Sequence, residues 1–395
     1  MSKTIIIIGA GLAGLSAALQ AAENGCNVKL VSSLPSERAQ SVMAEGGINA
    51  ALNTKDENDS PEEHFTDTIK AACGLADPNA VWGMTQAAPE LVHWLLKLGV
   101  KFNMSGYDDV DLRNFGGQKK KRTAFAQSDT GKQIMTAMID AVRRKEASGM
   151  VERFSHHSFL TLRLCGNICC GCVIRDEYSQ ETVELPGDAV IVATGGMHGL
   201  FGNTTGSLSN TGEVTAELFR LGVPLANGEM IQYHPTTVKC GGKRMLISEA
   251  ARGEGGRLFA MKDGKQWYFM EEKYPELGNL MPRDITAREI WKVSHESEVF
   301  LDMTEISEEI ISNKLSGLAD DCMTYLHKDI RKEPVSVLPG IHYFMGGILV
   351  DEQHRTPIQN LCAAGECCAQ YHGANRLGGN SLLGALYGGR VAAKS

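Results

Sequence analysis

The chain has 395 residues, with 39 Lys and Arg against 47 Asp and Glu, a net charge of −8 and an isoelectric point near 5.8. That balance offers no basic face for nucleic acid, and no run reaches the ~18 apolar residues of a membrane-crossing helix. Apolar residues at 43% and charged residues at 22% predict ordinary globular packing in two or three regions.

Glycine is the one excess, with 43 residues, about 11%, against a usual ~7%. Without a collagen period, this points to many places where backbone approaches a large ligand. There are eleven Cys, an odd number, and the start, MSKTIIIIGAG, has no h-region or cleavage site. Reduced thiols in a cytoplasmic setting are expected.

In chain order, Ile5 to Ile8 is a short apolar run suited to a strand buried on both faces. Gly9-Ala10-Gly11-Leu12-Ala13-Gly14 follows, then a helix over Leu15 to Asn24 ended by Gly25, and a second strand over Asn27 to Ser32. Residues 53–63 read as an exposed polar loop, 80–98 as helix, Gln118 to Arg122 as a basic solvated loop, 131–147 as helix and 151–194 as a β region. Within that β region, Cys165, Cys169, Cys170 and Cys172 admit a metal-site reading. No second distant CxxC pair accompanies them, so small buried thiols explain the run better. Asp188 to Gly196 is another strand entering a glycine turn. From about residue 235 to 342 the composition turns more charged and includes Trp267 and Trp291, and from Leu361 a third strand–turn–helix begins. The expected architecture is α/β. Residues 1–233 and 343–395 form one Rossmann-type domain, and residues 234–342 form an inserted α+β cap.

A GxGxxG is weak alone, but here it follows an apolar strand and opens a helix. The first Gly permits the tight turn, the second lets backbone near a pyrophosphate, and the third lets helix pack on strand. The helix N-terminus then favours phosphate charge. The second strand ends Leu30-Val31-Ser32-Ser33, without the acid that binds the NAD ribose. FAD is therefore expected over NAD.

At Ser41-Val-Met-Ala-Glu-Gly-Gly-Ile-Asn-Ala50 the sequence resembles the flavoprotein subunits of succinate dehydrogenase and fumarate reductase, and further blocks agree. They are Gln232-Tyr-His-Pro-Thr236, Ser248-Glu-Ala-Ala-Arg-Gly-Glu-Gly-Gly256, Met281-Pro-Arg-Asp284, His342-Tyr-Phe-Met-Gly-Gly347 and His372-Gly-Ala-Asn-Arg-Leu-Gly-Gly-Asn-Ser-Leu382. The type found in Gram-positive bacteria and ε-proteobacteria looks nearest. The resemblance implies that FAD is held by the Gly9–Gly14 turn, Ser32, Ser41, Gly46, Gly47, Glu213, Glu366, Ser381 and Leu382. It implies that His234, Ser248, His342 and Arg376 clamp the carboxylates of a C4 dicarboxylate. It implies that Arg283 donates the proton, with Glu249 and Arg252 as its relay. Arg suits a forked carboxylate contact better than Lys. Glu249 and Arg252, three apart, would share a helix face. Arg244, Arg257 and Arg288 read as structural.

Two departures from the family pattern matter. Gln40 stands where covalently flavinylated members have His, and an amide cannot form that bond. FAD is therefore expected to be non-covalent, and fumarate reduction is favoured over succinate oxidation. The second concerns the C-terminus, where the resembled subunits continue into a helical domain. The expectation is that this domain is absent, which puts docking to an iron–sulfur subunit in doubt. The expected location is cytoplasmic, peripheral at the inner membrane face through partner subunits, with no direct membrane insertion. No NAD(P)H site or CxxCH haem motif is evident. L-aspartate oxidase, an enzyme of another unsaturated acid, and a catalytically silent FAD-binding module remain as alternatives.

Overall fold

The structure, a computed structural model, describes residues 2–107 and 109–395. In chain order, β1 (Thr4–Ile8), α1 (Leu12–Glu23) and β2 (Asn27–Ser32) are followed by α2 (Pro61–Ala72), α3 (Pro78–Leu98) and α4 (Thr130–Ala147). Next come β3 (Val151–Ser155), β4 (His157–Cys165), β5 (Ile168–Asp176), β6 (Thr182–Pro186), β7 (Ala189–Val192) and α5 (Glu213–Arg220). The stretch after α5 holds β8 (Ile231–Cys240), β9 (Lys243–Leu246), α6 (Glu249–Gly253), β10 (Arg257–Lys262), β11 (Lys265–Trp267), α7 (Arg283–Val293), β12 (Val299–Asp302), β13 (Val335–Ser336) and β14 (Leu338–Phe344). β15 (Leu361–Ala363) and α8 (Asn380–Lys394) complete the elements used below.

The central sheet is parallel, in the order β15-β7-β1-β2-β3. Its middle strand explains itself. Ile5 and Ile7 enter the core under α1, α3, α4 and α8, while Ile6 and Ile8 enter a second core with Cys169, Cys172 and Leu185 of the β4–β6 sheet. A strand covered on both faces has no place for alternating polar residues, and each isoleucine so buried stabilises the fold by about 1.5–3 kcal/mol. The first helix begins at Leu12, not Leu15, because Ala13 and Gly14 already belong to its first turn.

A third apolar core lies within residues 247–337 apart from Phe115, and includes Leu258, Phe269, Ile290, Leu301 and Val335. It is built around the antiparallel sheet β11-β10-β12-β13. A separate sheet, β9-β8-β14, runs through both ends of this stretch. It is this sheet that carries side chains into the site.

Three expectations need correction. The segment Gln118 to Arg122 is not a solvated loop. Lys119 to Lys121 reach the surface, but Arg122 is fully buried and ion-paired to Asp59 at 2.8 Å and Asp67 at 2.9 Å. Asp59 is itself buried, so residues 53–63 are not wholly exposed either. A buried guanidinium needs acids, and those acids come from a segment that looks merely polar in sequence. The cysteine run is split as well. Cys169 and Cys172 are buried, whereas Cys165 is exposed and Cys170 half-buried. Among the described residues no group of three or more His, Cys, Asp or Glu could hold a metal.

Candidate active site

A cavity of about 610 Å³ runs from the C-terminal ends of β1 and β2 to the β9-β8-β14 sheet. Gly9, Ala10, Gly11, Leu12, Ala13, Ser32, Gln40, Ser41, Gly46, Gly47, Glu213, Glu366, Ser381 and Leu382 line one part of it. His234, Ser248, Glu249, Arg283, His342 and Arg376 line the other. Two expected residues do not reach the wall. Gly14 packs behind it, where a Cβ would strike the Gly9 carbonyl, so helix and strand touch only because the side chain is hydrogen. Arg252 lies buried behind Glu249.

The first part suits a dinucleotide such as FAD. The N-terminus of α1 has no side-chain cap on Gly11 and opens to the cavity, with the Leu12 amide 3.3 Å from Ser41 Oγ. Uncapped amides at a helix start favour phosphate oxygens. At the tip of β2, Ser32 Oγ is buried on the cavity wall and has no hydrogen-bond partner. A ribose hydroxyl would satisfy it, as the missing acid on this strand led one to expect.

The second part is a buried ionic network. Glu249 opens α6 and Arg283 opens α7, so two helix starts bring acid and base together. Arg283 Nε and Nη2 donate to Glu249 Oε2 at 2.8 and 2.7 Å, and Nη1 donates to Gln232 Oε1 at 3.0 Å. The same Gln232 oxygen accepts Arg376 Nη2 at 2.9 Å. Arg252 Nη2 lies 3.4 Å from Glu249 Oε1, and its Nη1 donates to the Asn279 carbonyl at 2.6 Å. Burial raises the Glu249 carboxyl, but the Arg283 and Arg252 charges outweigh it and the net shift is downward. Arg376 packs over the Tyr343 ring at 4.3 Å, and burial together with the Arg283 charge pushes its guanidinium down.

His234 and His342 stand with ring centroids 5.0 Å apart. Burial, then the Arg283 and Arg252 charges, holds His234 far below its ordinary value. Burial and the neighbouring His234, Arg283 and Arg376 do the same for His342. Both are therefore neutral at pH 7. His342 Nδ1 is tied to Thr205 Oγ1 at 2.7 Å, which leaves Nε2 for the cavity. Ser248 caps α6 through the Ala250 amide at 3.4 Å and lines the same wall.

Within the linked network three guanidiniums face one carboxylate. With both histidines neutral, the net charge is +2 (Arg252, Arg283 and Arg376 against Glu249).

Several contributors escaped the residue-by-residue reading. Gln232, quoted only as part of its motif, is the shared acceptor that holds Arg283 and Arg376 together. The Gly116 amide donates to Glu249 Oε1 at 2.8 Å, and a Cβ at that position would come within 2.6 Å of the same oxygen. His198 bonds Glu366 at 3.0 Å and Thr204 at 2.7 Å, fixing the acid at the cavity wall. The Phe115-Gly116-Gly117 run was the one sequence signal for the second of these.

The family described as FAD binding domain matches residues 4–382. The chain is 45% identical to the succinate dehydrogenase flavoprotein subunit of Bacillus subtilis (strain 168), over 99% of this chain and 68% of that protein. It is 34% identical to L-aspartate oxidase of Streptomyces coelicolor, over 100% of this chain and 68% of that one. Among solved structures, an E. coli quinol fumarate reductase chain superposes with a TM-score of 0.92 at 31% identity, covering 100% of this chain and 69% of that chain. No helix among the described residues is long and apolar enough to cross a membrane. A family match over nearly the whole chain and a relative at 45% identity lead to one statement: the chain belongs to the FAD-binding family of succinate dehydrogenase and fumarate reductase flavoprotein subunits.

Proposed function

We propose that the chain reduces fumarate to succinate with FAD. The observation that carries this is the net +2 network, which matches the charge of a C4 dicarboxylate dianion. Bound FAD supplies the hydride, and the chain's own residues do the rest. His234, Ser248, His342 and Arg376 hold the two carboxylates, and the unpaired Arg376 Nε adds a buried donor for one of them. Fixed cations meet the charge that develops on the carboxylate as its neighbouring carbon is reduced. Arg283 gives the proton. A guanidinium ordinarily keeps its proton, so release depends on the crowded cations around it and on prompt return of the proton through Glu249 and Arg252.

FAD is held without a covalent bond, since Gln40 lines the cavity where a flavinylated member has His. Residues 234–342 act as the cap that excludes water over the site, and 1–233 with 343–395 act as the FAD-binding unit. An iron–sulfur subunit that delivers electrons at the inner membrane face is the partner this reading invokes.

The test is direct. After acid precipitation the yellow cofactor should be in the supernatant, and the native protein should oxidise reduced viologen only when fumarate is present. Flavin in the pellet would sink the Gln40 argument. The second reading, L-aspartate oxidase, rests on the relative at 34% identity. Iminoaspartate formed from aspartate, without viologen oxidation by fumarate, would put that reading first.

A further inference from the structure

Arg244 read as structural in sequence, yet it is placed as few structural arginines are. β9 sets it opposite Lys239 of β8, and its side chain lies across the sheet over Thr237 and Gly340. Its Nη2 donates to the carbonyls of Thr237 at 3.1 Å and Leu338 at 3.3 Å, and its Nε donates to Thr237 Oγ1. Among the described residues no Asp or Glu lies within ion-pair distance of it, so the charge is uncompensated. The guanidinium also lines two cavities at once. One is the catalytic cavity, and the other is a separate outer groove of about 560 Å³. The groove wall includes Tyr233, Trp291 and His295 but no carboxylate. In a chain of net charge −8, Arg244 is the one Lys or Arg among the described residues that line this groove.

We infer that Arg244 is an anion-capturing residue on the wall of the catalytic cavity, which draws a dicarboxylate dianion toward His234 and Arg376. The assignment rests on the fumarate reading above. A dianion repelled by the protein as a whole gains most from a cation it meets before the buried network. The fixed bonds to Thr237 and Leu338 hold the fork in place, so capture orders no flexible side chain. Gly340 makes that pose available, because a Cβ there would come within 2.6 Å of Arg244 Cδ.

Stopped-flow mixing of the FAD-loaded chain with malonate tests this. Malonate is a dicarboxylate that cannot accept hydride, and its binding is read from the flavin absorbance. In the native chain the association rate should fall steeply with added salt. R244Q should associate about tenfold more slowly at low ionic strength, with the two curves converging at high salt as screening removes steering. Gly340→Ala keeps the charge but displaces it, and should slow association in the same sense, while R244K should keep the salt dependence. In turnover with fumarate and reduced viologen, R244Q should lose kcat/KM mainly through KM. If R244Q and Gly340→Ala match the native rate and salt slope while malonate still binds, the inference fails and the fumarate reading stands. If the native chain binds neither malonate nor fumarate, the reading beneath it fails as well.

Discussion

The two ends of the cavity are built on opposite principles. The nucleotide end rests on β1, whose isoleucines are sandwiched between two apolar cores, and on glycines that let backbone meet backbone. Its stability is spread over many weak contacts. The substrate end rests on Arg252, Glu249, Arg283, Gln232 and Arg376, a few buried polar groups in which each oxygen serves more than one donor. Apolar burial degrades gradually when trimmed, whereas a buried ion pair that loses one partner strands the other in a poor solvent. Robust packing therefore holds the cofactor, and a concentrated, costly charge arrangement waits for the substrate.

That contrast can be broken most severely at Arg283. Arg283→Gln should lower viologen-linked fumarate reduction by about 10²–10⁴-fold, the usual scale for a removed general acid, while the flavin spectrum of the purified protein persists. A loss of less than tenfold would take the proton donor's role away from this residue. Next is Glu249→Leu, which leaves Arg283 and Arg252 without their acid and should cost about 3–5 kcal/mol in urea unfolding. The opposite end supplies the control. Ile6→Val should cost only about 0.5–1.5 kcal/mol and keep both FAD and turnover. Equal losses from the two changes would erase the distinction.

Buried histidines sharpen the same comparison through pH. Burial pushes His64 down to about 3 and His354 to about 4. Folded, they stay neutral, while in the unfolded chain they protonate near the ordinary value of about 6.5. The stability they confer is complete above that value and is lost as pH falls toward their folded pKa values. The slope is roughly 1.4 kcal/mol per pH unit for each histidine. Urea midpoints should already fall between pH 7 and 5.5, even though Glu45, which burial pushes up to about 8, opposes the two histidines with the pull of one proton. A flat midpoint over that interval would show that these rings are not held neutral.

Much of the fold was legible because periodic apolar runs carry their own explanation. A continuous Ile5 to Ile8 followed by GxGxxG has few structural outcomes, and β2 ends at Ser32 as its pattern suggests. His234, Ser248, His342 and Arg376, the residues proposed to hold the carboxylates, all line one cavity, since motifs in family order bring their spatial arrangement with them. What failed were judgements on single charges. Arg122 looked like part of a wet loop and proved buried, because Asp59 and Asp67 are distant in sequence or hidden in a polar run. Arg244 read as structural, and its bonds to the Thr237 and Leu338 carbonyls agree with that, while only the folded sheet shows that it also lines the cavity.

The sequence by itself determined the nucleotide fold, the cofactor class and the residue types proposed to hold a dicarboxylate. Each of these depends on local pattern or on a short motif whose geometry the backbone enforces. The tertiary structure alone decided which charges are paired, which are buried and which remain open. Those properties depend on the distance and solvent between groups far apart in the chain, as with Gln232 between Arg283 and Arg376 or the Gly116 amide at Glu249. Coulomb energy changes manyfold with depth from the surface, and depth is set only when the sheets and the residues between them have closed.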